Sequence, residues 1–243
     1  FSVTLAILAS FFVFTNVQAD TTCSFTFSGD TMKLDGDCVT DETIFIPHGF
    51  TLDGNGYTIT AEDPSGDHFR GAIVMNAGTE ANVEDLTIDT DSLANVCDGG
   101  VDRLRGIMFE GASGEIEGNT VLNINQGNSG CQEGNAIEVR NAPFDGTHPN
   151  TQSVVIHENT VTAFQKSGIV ANGDVEVEIT HNDVTGLGPV NFIAQNGIQL
   201  GFGAMGDIED NGVSESVYTP ATFGSGGILL FAAGAKVHVD DNV

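Results

Sequence analysis

Gly106-Ile107-Met108-Phe109-Glu110, followed by Ile116-Glu117-Gly118-Asn119-Thr120-Val121, sets the architecture because the chain keeps returning to it. A small residue before Ile recurs at Ala72-Ile73, Ala136-Ile137, Gly168-Ile169, Gly197-Ile198 and Gly227-Ile228. From Ile73 to Ile228 the steps are 34, 30, 32, 29 and 30 residues. The second element, apolar-x-x-Asn-x-Val, recurs from Ile156 through Asn159 to Val161, from Ile179 through Asn182 to Val184, and from Ile208 through Asn211 to Val213. It closes as Val239-Asp240-Asp241-Asn242-Val243. A fixed period with two short apolar beats per unit is the signature of a solenoid.

Each beat reads at period two. Ile107 and Phe109, Ile137 and Val139, Ile169 and Ala171, Ile198 and Leu200 share one face and point to a core, while the residues between them point outward. Short strands in a unit of this length leave no room for a crossover helix. The economical fold is a coil stacked strand on strand about 4.8 Å above the previous one, which is a parallel β-helix. Stacking places Asn119, Asn159, Asn182, Asn211 and Asn242 over one another at a turn. There their amides form a ladder and the Asn residues are expected to take the left-handed corner conformation.

The 243 residues include 31 Gly and no Trp, which suits short strands joined by tight turns in one domain. Residues 2–17 are uncharged and mostly apolar, and Val17-Gln18-Ala19 precedes Asp20, so residues 1–19 read as a signal peptide. Starting at Phe1 and stopping as a repeat closes, the chain is expected to be incomplete at both ends. Residues 20–60 are expected to form an N-terminal cap and first coil, and 61–243 the repeat coils. An exported protein with four Cys favours two disulfides; of the three pairings, Cys23–Cys38 and Cys97–Cys131 are expected. The second pair lies in loops preceding consecutive Ile beats, which coil stacking brings together.

At Thr51-Leu52-Asp53-Gly54-Asn55-Gly56-Tyr57-Thr58-Ile59, followed by the Ile and Asn beats, the chain resembles the secreted right-handed β-helix repeat proteins of the pectate-lyase-like superfamily. The resemblance spans about residues 23–243. It implies right-handed coiling and a carbohydrate-active or glycan-binding role. The paired Asp residues of polygalacturonases and the Tyr-Gly-Phe-Asp-Pro stretch of alginate epimerases have no counterpart here. In related lyases an Arg is the base and Ca²⁺ neutralises a uronate. By that similarity Arg105, Arg140 and Lys166 are candidate catalytic residues, with Glu138 as partner or ligand and Ca²⁺ as a candidate cofactor.

Charge placement converges on the same region. The formal net charge is −27, from 34 acidic and 7 basic residues, which repels nucleic acid and anionic membranes. Counting from each Ile, Arg70, Arg103, Arg105, Arg140 and Lys166 fall in one strip just before or at the end of the same strand. Glu133, Gln165, Gln195 and Gln199 share the strip. A line of cations spaced by the coil pitch suits an extracellular acidic polysaccharide bound by a monomer. The same cations equally suit pairing with neighbouring carboxylates. Glu138 and Arg140 share outward parity, about 7 Å apart along the strand. The substrate-binding candidates are Arg70, Arg103, Glu133, Gln165, Gln195 and Gln199. His148 with Asp145, in the insertion from Ala142 to Thr151, is a further candidate acid–base pair and equally suits a loop-stabilising hydrogen bond. His157 and His181, just before ladder Asn residues, are expected to be exposed turn residues. Phe144, Phe164, Phe192, Tyr218 and Phe223 lie in variable loops, as loop cores or sugar platforms.

Overall fold

The computed structural model describes residues 21–142, 151–220 and 222–243. The signal-peptide segment, the His148–Asp145 pair and Phe144 lie outside these residues. The chain winds as a parallel β-solenoid with three sheets. An Ile face stacks seven strands, among them Arg105–Glu110, Asn135–Asn141, Ser167–Gly173 and Asn196–Gly201. An acidic face stacks nine strands, including Ser113–Glu117, Gln152–His157, Val175–Thr180 and Met205–Glu209. A Val face stacks seven, including Thr120–Leu122 and Thr160–Thr162. Pairing is parallel except where Phe25–Ser28 runs antiparallel to Thr31–Leu34 at one end of the acidic face.

The two sequence beats become two registers. Ile107, Ile137, Ile169, Ile198 and Ile228 pair in one row across successive coils, but in the coil before them Val74 takes the place expected of Ile73. The first four are fully buried, a burial worth about 1.5–3 kcal/mol per side chain. The small residue before Ile has a steric cause. A Cβ on Gly168 would sit 2.4 Å from Val184 Cγ1 and 2.6 Å from the Gly197 carbonyl oxygen. A Cβ on Gly197 would meet Val213 Cγ1 at 2.2 Å. At these two glycines the Ile face and the Val face approach too closely for a side chain.

The Asn ladder forms at the corner between the acidic and Val faces. Each Nδ2 donates to the Oδ1 of the next Asn, at 3.0 Å from Asn119 to Asn159 and 2.9 Å from Asn159 to Asn182. The steps from Asn182 to Asn211 and from Asn211 to Asn242 are also 2.9 Å. The backbone N–H of each Asn donates to the same oxygen at 3.0 Å. Leu86 occupies the corner before Asn119 and ends the side-chain ladder, donating its N–H to Asn119 Oδ1 at 3.1 Å. One expectation is corrected. The left-handed backbone belongs to the residue before each Asn (Gly118, Glu158, His181, Asp210 and Asp241, with φ between 50° and 63°). The Asn residues are free of that strain and turn their amides inward.

Both expected disulfides form, with Cα–Cα separations of 4.9 Å for Cys23–Cys38 and 5.1 Å for Cys97–Cys131. Among the described residues no helix is long and apolar enough to cross a membrane.

The acid excess is sorted by face. Along the acidic face one outward row runs Lys33, Asp53, Glu84, Glu117, His157, Thr180, Glu209, Asp240. Burial, and then the facing Asp53 and Glu117, push the Glu84 carboxyl up from its ordinary value. The Ile face carries few acids, and the middle of its outward row is covered: Met108, Glu138 and Val170 are buried although their parity points them away from the core. Loops entering that face fold over it, and they build the site.

Candidate functional site

A polar cleft of about 340 Å³ lies on the outer side of the Ile face. Glu138 and Arg140 enter it from the strand Asn135–Asn141, Val170 and Asn172 from the next coil, and Gln199 from the coil after that. Arg103, Gln132 and Lys166 close its edge from the loops that precede three successive Ile strands. Of the four proposed catalytic residues, Glu138, Arg140 and Lys166 line this one cleft and Arg105 does not.

Arg105 is 1% exposed, and its Nε donates to Glu138 Oε2 at 2.5 Å. Its remaining nitrogens donate to the carbonyls of Arg103 at 2.7 Å, Gly100 at 3.1 Å and Val101 at 3.3 Å. The guanidinium thus clamps the 3-10 turn Gly100–Asp102 over the sheet and carries Arg103 to the cleft edge. Reach to a substrate is denied it by burial. Glu138 also accepts from Asn135 Nδ2 at 2.9 Å, and Arg140 lies 3.9 Å away. Arg140 is held from its other side by Glu110, its register partner.

Three proposed substrate contacts are interior braces. Glu133 is 1% exposed and accepts the N–H groups of Asp98 and Leu104, at 3.0 and 2.8 Å. Gln165 accepts from Gln126 N–H and donates to the Cys131 carbonyl, both at 2.9 Å. Gln195 accepts from Leu187 N–H at 3.1 Å and donates to the Phe164 carbonyl at 2.5 Å. Each satisfies loop backbone groups that water cannot reach, the general requirement for buried polar atoms. Phe164 is likewise interior, at 0% exposure. Arg70 lies apart from the cleft, on the surface, paired with Asp67 at 2.8 Å. Gln199 does line the cleft, with Oε1 accepting from Asn196 Nδ2 at 2.9 Å.

Two features of the cleft stay uncompensated among the described residues. Lys33, Arg70, Arg105 and Arg140 have carboxylate partners, whereas Arg103, Lys166 and Lys236 have none, and the first two of these three line the cleft. Lys166 Nζ donates to the Ala194 carbonyl at 2.6 Å. Burial pushes the Lys166 ammonium down from its ordinary value. Secondly, Oδ1 of Asn135 and Oδ1 of Asn172, both in the cleft wall, are buried acceptors with no donor.

Sequence reasoning missed a second, cooler feature on the acidic face. Glu115, Glu117 and His157 converge, and so do Asp207, Glu209 and His238, with ligand atoms within 4.8 Å of one another in each group. His157 Nε2 lies 2.8 Å from Glu115 and is half-buried, where an exposed turn residue was expected. His238 is bonded to Glu209 at 2.8 Å, and that bond raises its pKa. Counting backward from each ladder Asn would have found them: Glu117, His157 and Glu209 all stand two positions before it. These are the residues that could hold a cation. The cleft does not suit Ca²⁺, because the Glu138 carboxylate already faces two guanidiniums.

Comparison with protein-family models finds no match, and comparison with curated proteins finds none either. Among solved structures the chain is similar to the crystal structure of Dettilon tailspike protein (gp208), at 14% identity and a TM-score of 0.33. The likeness covers 87% of this chain and 54% of that one. At that similarity the likeness carries no functional inference.

Proposed function

We propose that the polar cleft on the Ile face binds an acidic polysaccharide outside the cell. One observation carries the reading: in a chain of net charge −27, two of the three cations without a described carboxylate partner line a single cleft. Arg103 and Lys166 would meet carboxylate or sulfate groups. Arg103 and Lys166, two coils apart with Gln132 on the coil between them, match a polymer laid along the solenoid axis. The two disulfides and the apolar leader-like segment support export.

The test is binding of pectate, alginate, a sulfated glycosaminoglycan and a neutral glucan to wild type, Arg103→Gln and Lys166→Gln. Selective binding of the anionic polymers, weakened about tenfold by either substitution and by added salt, is the expected result. Equal affinity for the neutral glucan overturns it, as does no binding to any anionic polymer.

A catalytic reading has one observation in its favour, the lowered pKa of Lys166. The direction of that shift favours the amine form that would have to take the proton beside a uronate carboxyl. The electron pair then forms the carbon–carbon double bond as the glycosidic oxygen departs and takes a proton from water. Appearance of the conjugated product by absorbance, lost in Lys166→Gln, is the measurement that decides it.

A further inference from the structure

Resting on the cleft reading, we propose that the bound glycan continues past Lys166 into a neighbouring aromatic hollow, where a second sugar residue stacks on Phe223 and Tyr218. The hollow has a volume of about 550 Å³ and is lined by Phe192, Ile193, Tyr218 and Phe223, together with Gln132 and Lys166. Gln132 and Lys166 also line the polar cleft, so the two depressions adjoin across these side chains. Each volume falls within the roughly 300–1,000 Å³ usual for small-ligand sites.

The chemistry of the hollow selects its occupant. Phe223 is 70% exposed, and its ring centroid lies 6.1 Å from that of Tyr218 at a 43° tilt. The two rings meet as a tilted aromatic pair, and the remaining surface of Phe223 stays open to solvent. Lys166 is the one charged residue among the described lining of the hollow. A pyranose presents an apolar C–H face bounded by hydroxyls. That combination fits the exposed Phe223 ring, the Gln132 amide and an ammonium shared with the polar cleft. A flat hydrophobic partner would leave Lys166 and Gln132 desolvated without compensation. The ligand class that follows is an acidic oligosaccharide of at least two residues, with an anionic group at Lys166 and the next sugar's apolar face on Phe223.

The experiment titrates galacturonate monomer and tetramer into wild type, Phe223→Ala and Lys166→Gln, with chondroitin sulfate di- and tetrasaccharides as a sulfated arm. Phe223 is exposed, so its truncation leaves the fold intact. A Tyr57→Phe background leaves Tyr218 as the remaining tyrosine, since the chain has two Tyr and no Trp. The expected result is that Phe223→Ala weakens tetramer binding about tenfold and monomer binding less than about twofold. Lys166→Gln weakens both, and Tyr218 emission responds to the tetramer alone. Unchanged tetramer affinity in Phe223→Ala, alongside a loss in Lys166→Gln, overturns the aromatic subsite and leaves the cleft reading standing. Equal losses for monomer and tetramer in Phe223→Ala also overturn it. Absence of binding by wild type in both arms overturns the cleft reading and the subsite with it.

Discussion

Replacing Glu138 by Gln separates a structural carboxylate from a chemical one. The substitution keeps the shape and the acceptor that meets Arg105 Nε, and removes the charge. Arg105 and Glu138 have side chains 1% and 5% exposed, so the guanidinium has no water to turn to. Breaking a buried pair by removing one charge costs roughly 3–5 kcal/mol. Arg105 retains three carbonyls, from Gly100, Val101 and Arg103, which argues for the lower end of that range. Arg140, 3.9 Å from Glu138, would then confront Arg105 without a carboxylate between them, which holds the cost near ~3 kcal/mol. That is a large share of the roughly 5–15 kcal/mol that stabilises a typical domain. Urea denaturation followed by far-UV circular dichroism measures it, with the slope compared to wild type. Arg105→Met with Glu138→Gln removes both charges and should recover ~2 kcal/mol relative to the sum of the single losses. A Glu138→Gln protein within ~1 kcal/mol of wild type, or an additive cycle, refutes the argument that the pair clamps the Gly100–Asp102 turn.

Asn182→Ala should cost ~3 kcal/mol, because it strips Asn159 N–H of its buried acceptor and the Ile156 carbonyl of a donor. The same urea assay measures the loss. Replacing both Cys97 and Cys131 by Ser opens a 34-residue loop and should lower stability by up to ~4 kcal/mol, read as a drop in the denaturation midpoint. For Lys166 the folded pKa lies below the unfolded 10.5, so the unfolded chain holds more protons between the two values. Stability should therefore rise with pH across that window, and a Lys166→Met protein should lack the rise in pH-resolved melting curves. Over the same interval affinity for an anionic glycan should fall as the ammonium loses its proton.

Much of this was legible in the chain, for reasons visible at particular residues. Ile107, Ile137, Ile169 and Ile198 announce a column because strand parity and the coil period are local properties. The Asn159–Asn182–Asn211 ladder and the Cys97–Cys131 bridge follow once coils stack, since equivalent positions must then meet. Arg105, Glu133, Gln165 and Gln195 were harder. Glu133, Gln165 and Gln195 sit in loop approaches of irregular length and Arg105 opens the strand after one, and the groups that capture them come from a different part of the coil or from the next one. Composition marks such residues as polar; it does not say that backbone carbonyls and N–H groups have already claimed them. Glu115 and His157 escaped for a related reason, because their distance in sequence hides a one-coil neighbourhood.

By itself, then, the sequence determined the solenoid, its inward columns, its amide corner and its disulfide partners. All but the Cys23–Cys38 clasp follow from a period of two within a strand and near thirty between coils. The tertiary structure alone decided which polar side chains brace loops and which reach the cleft. A strand side chain points where parity sends it, whereas a loop side chain points to whatever distant hydrogen-bond partner burial makes compulsory. Arg103 and Arg105 differ by two positions, and only the folded loop turns one toward the cleft and the other under it.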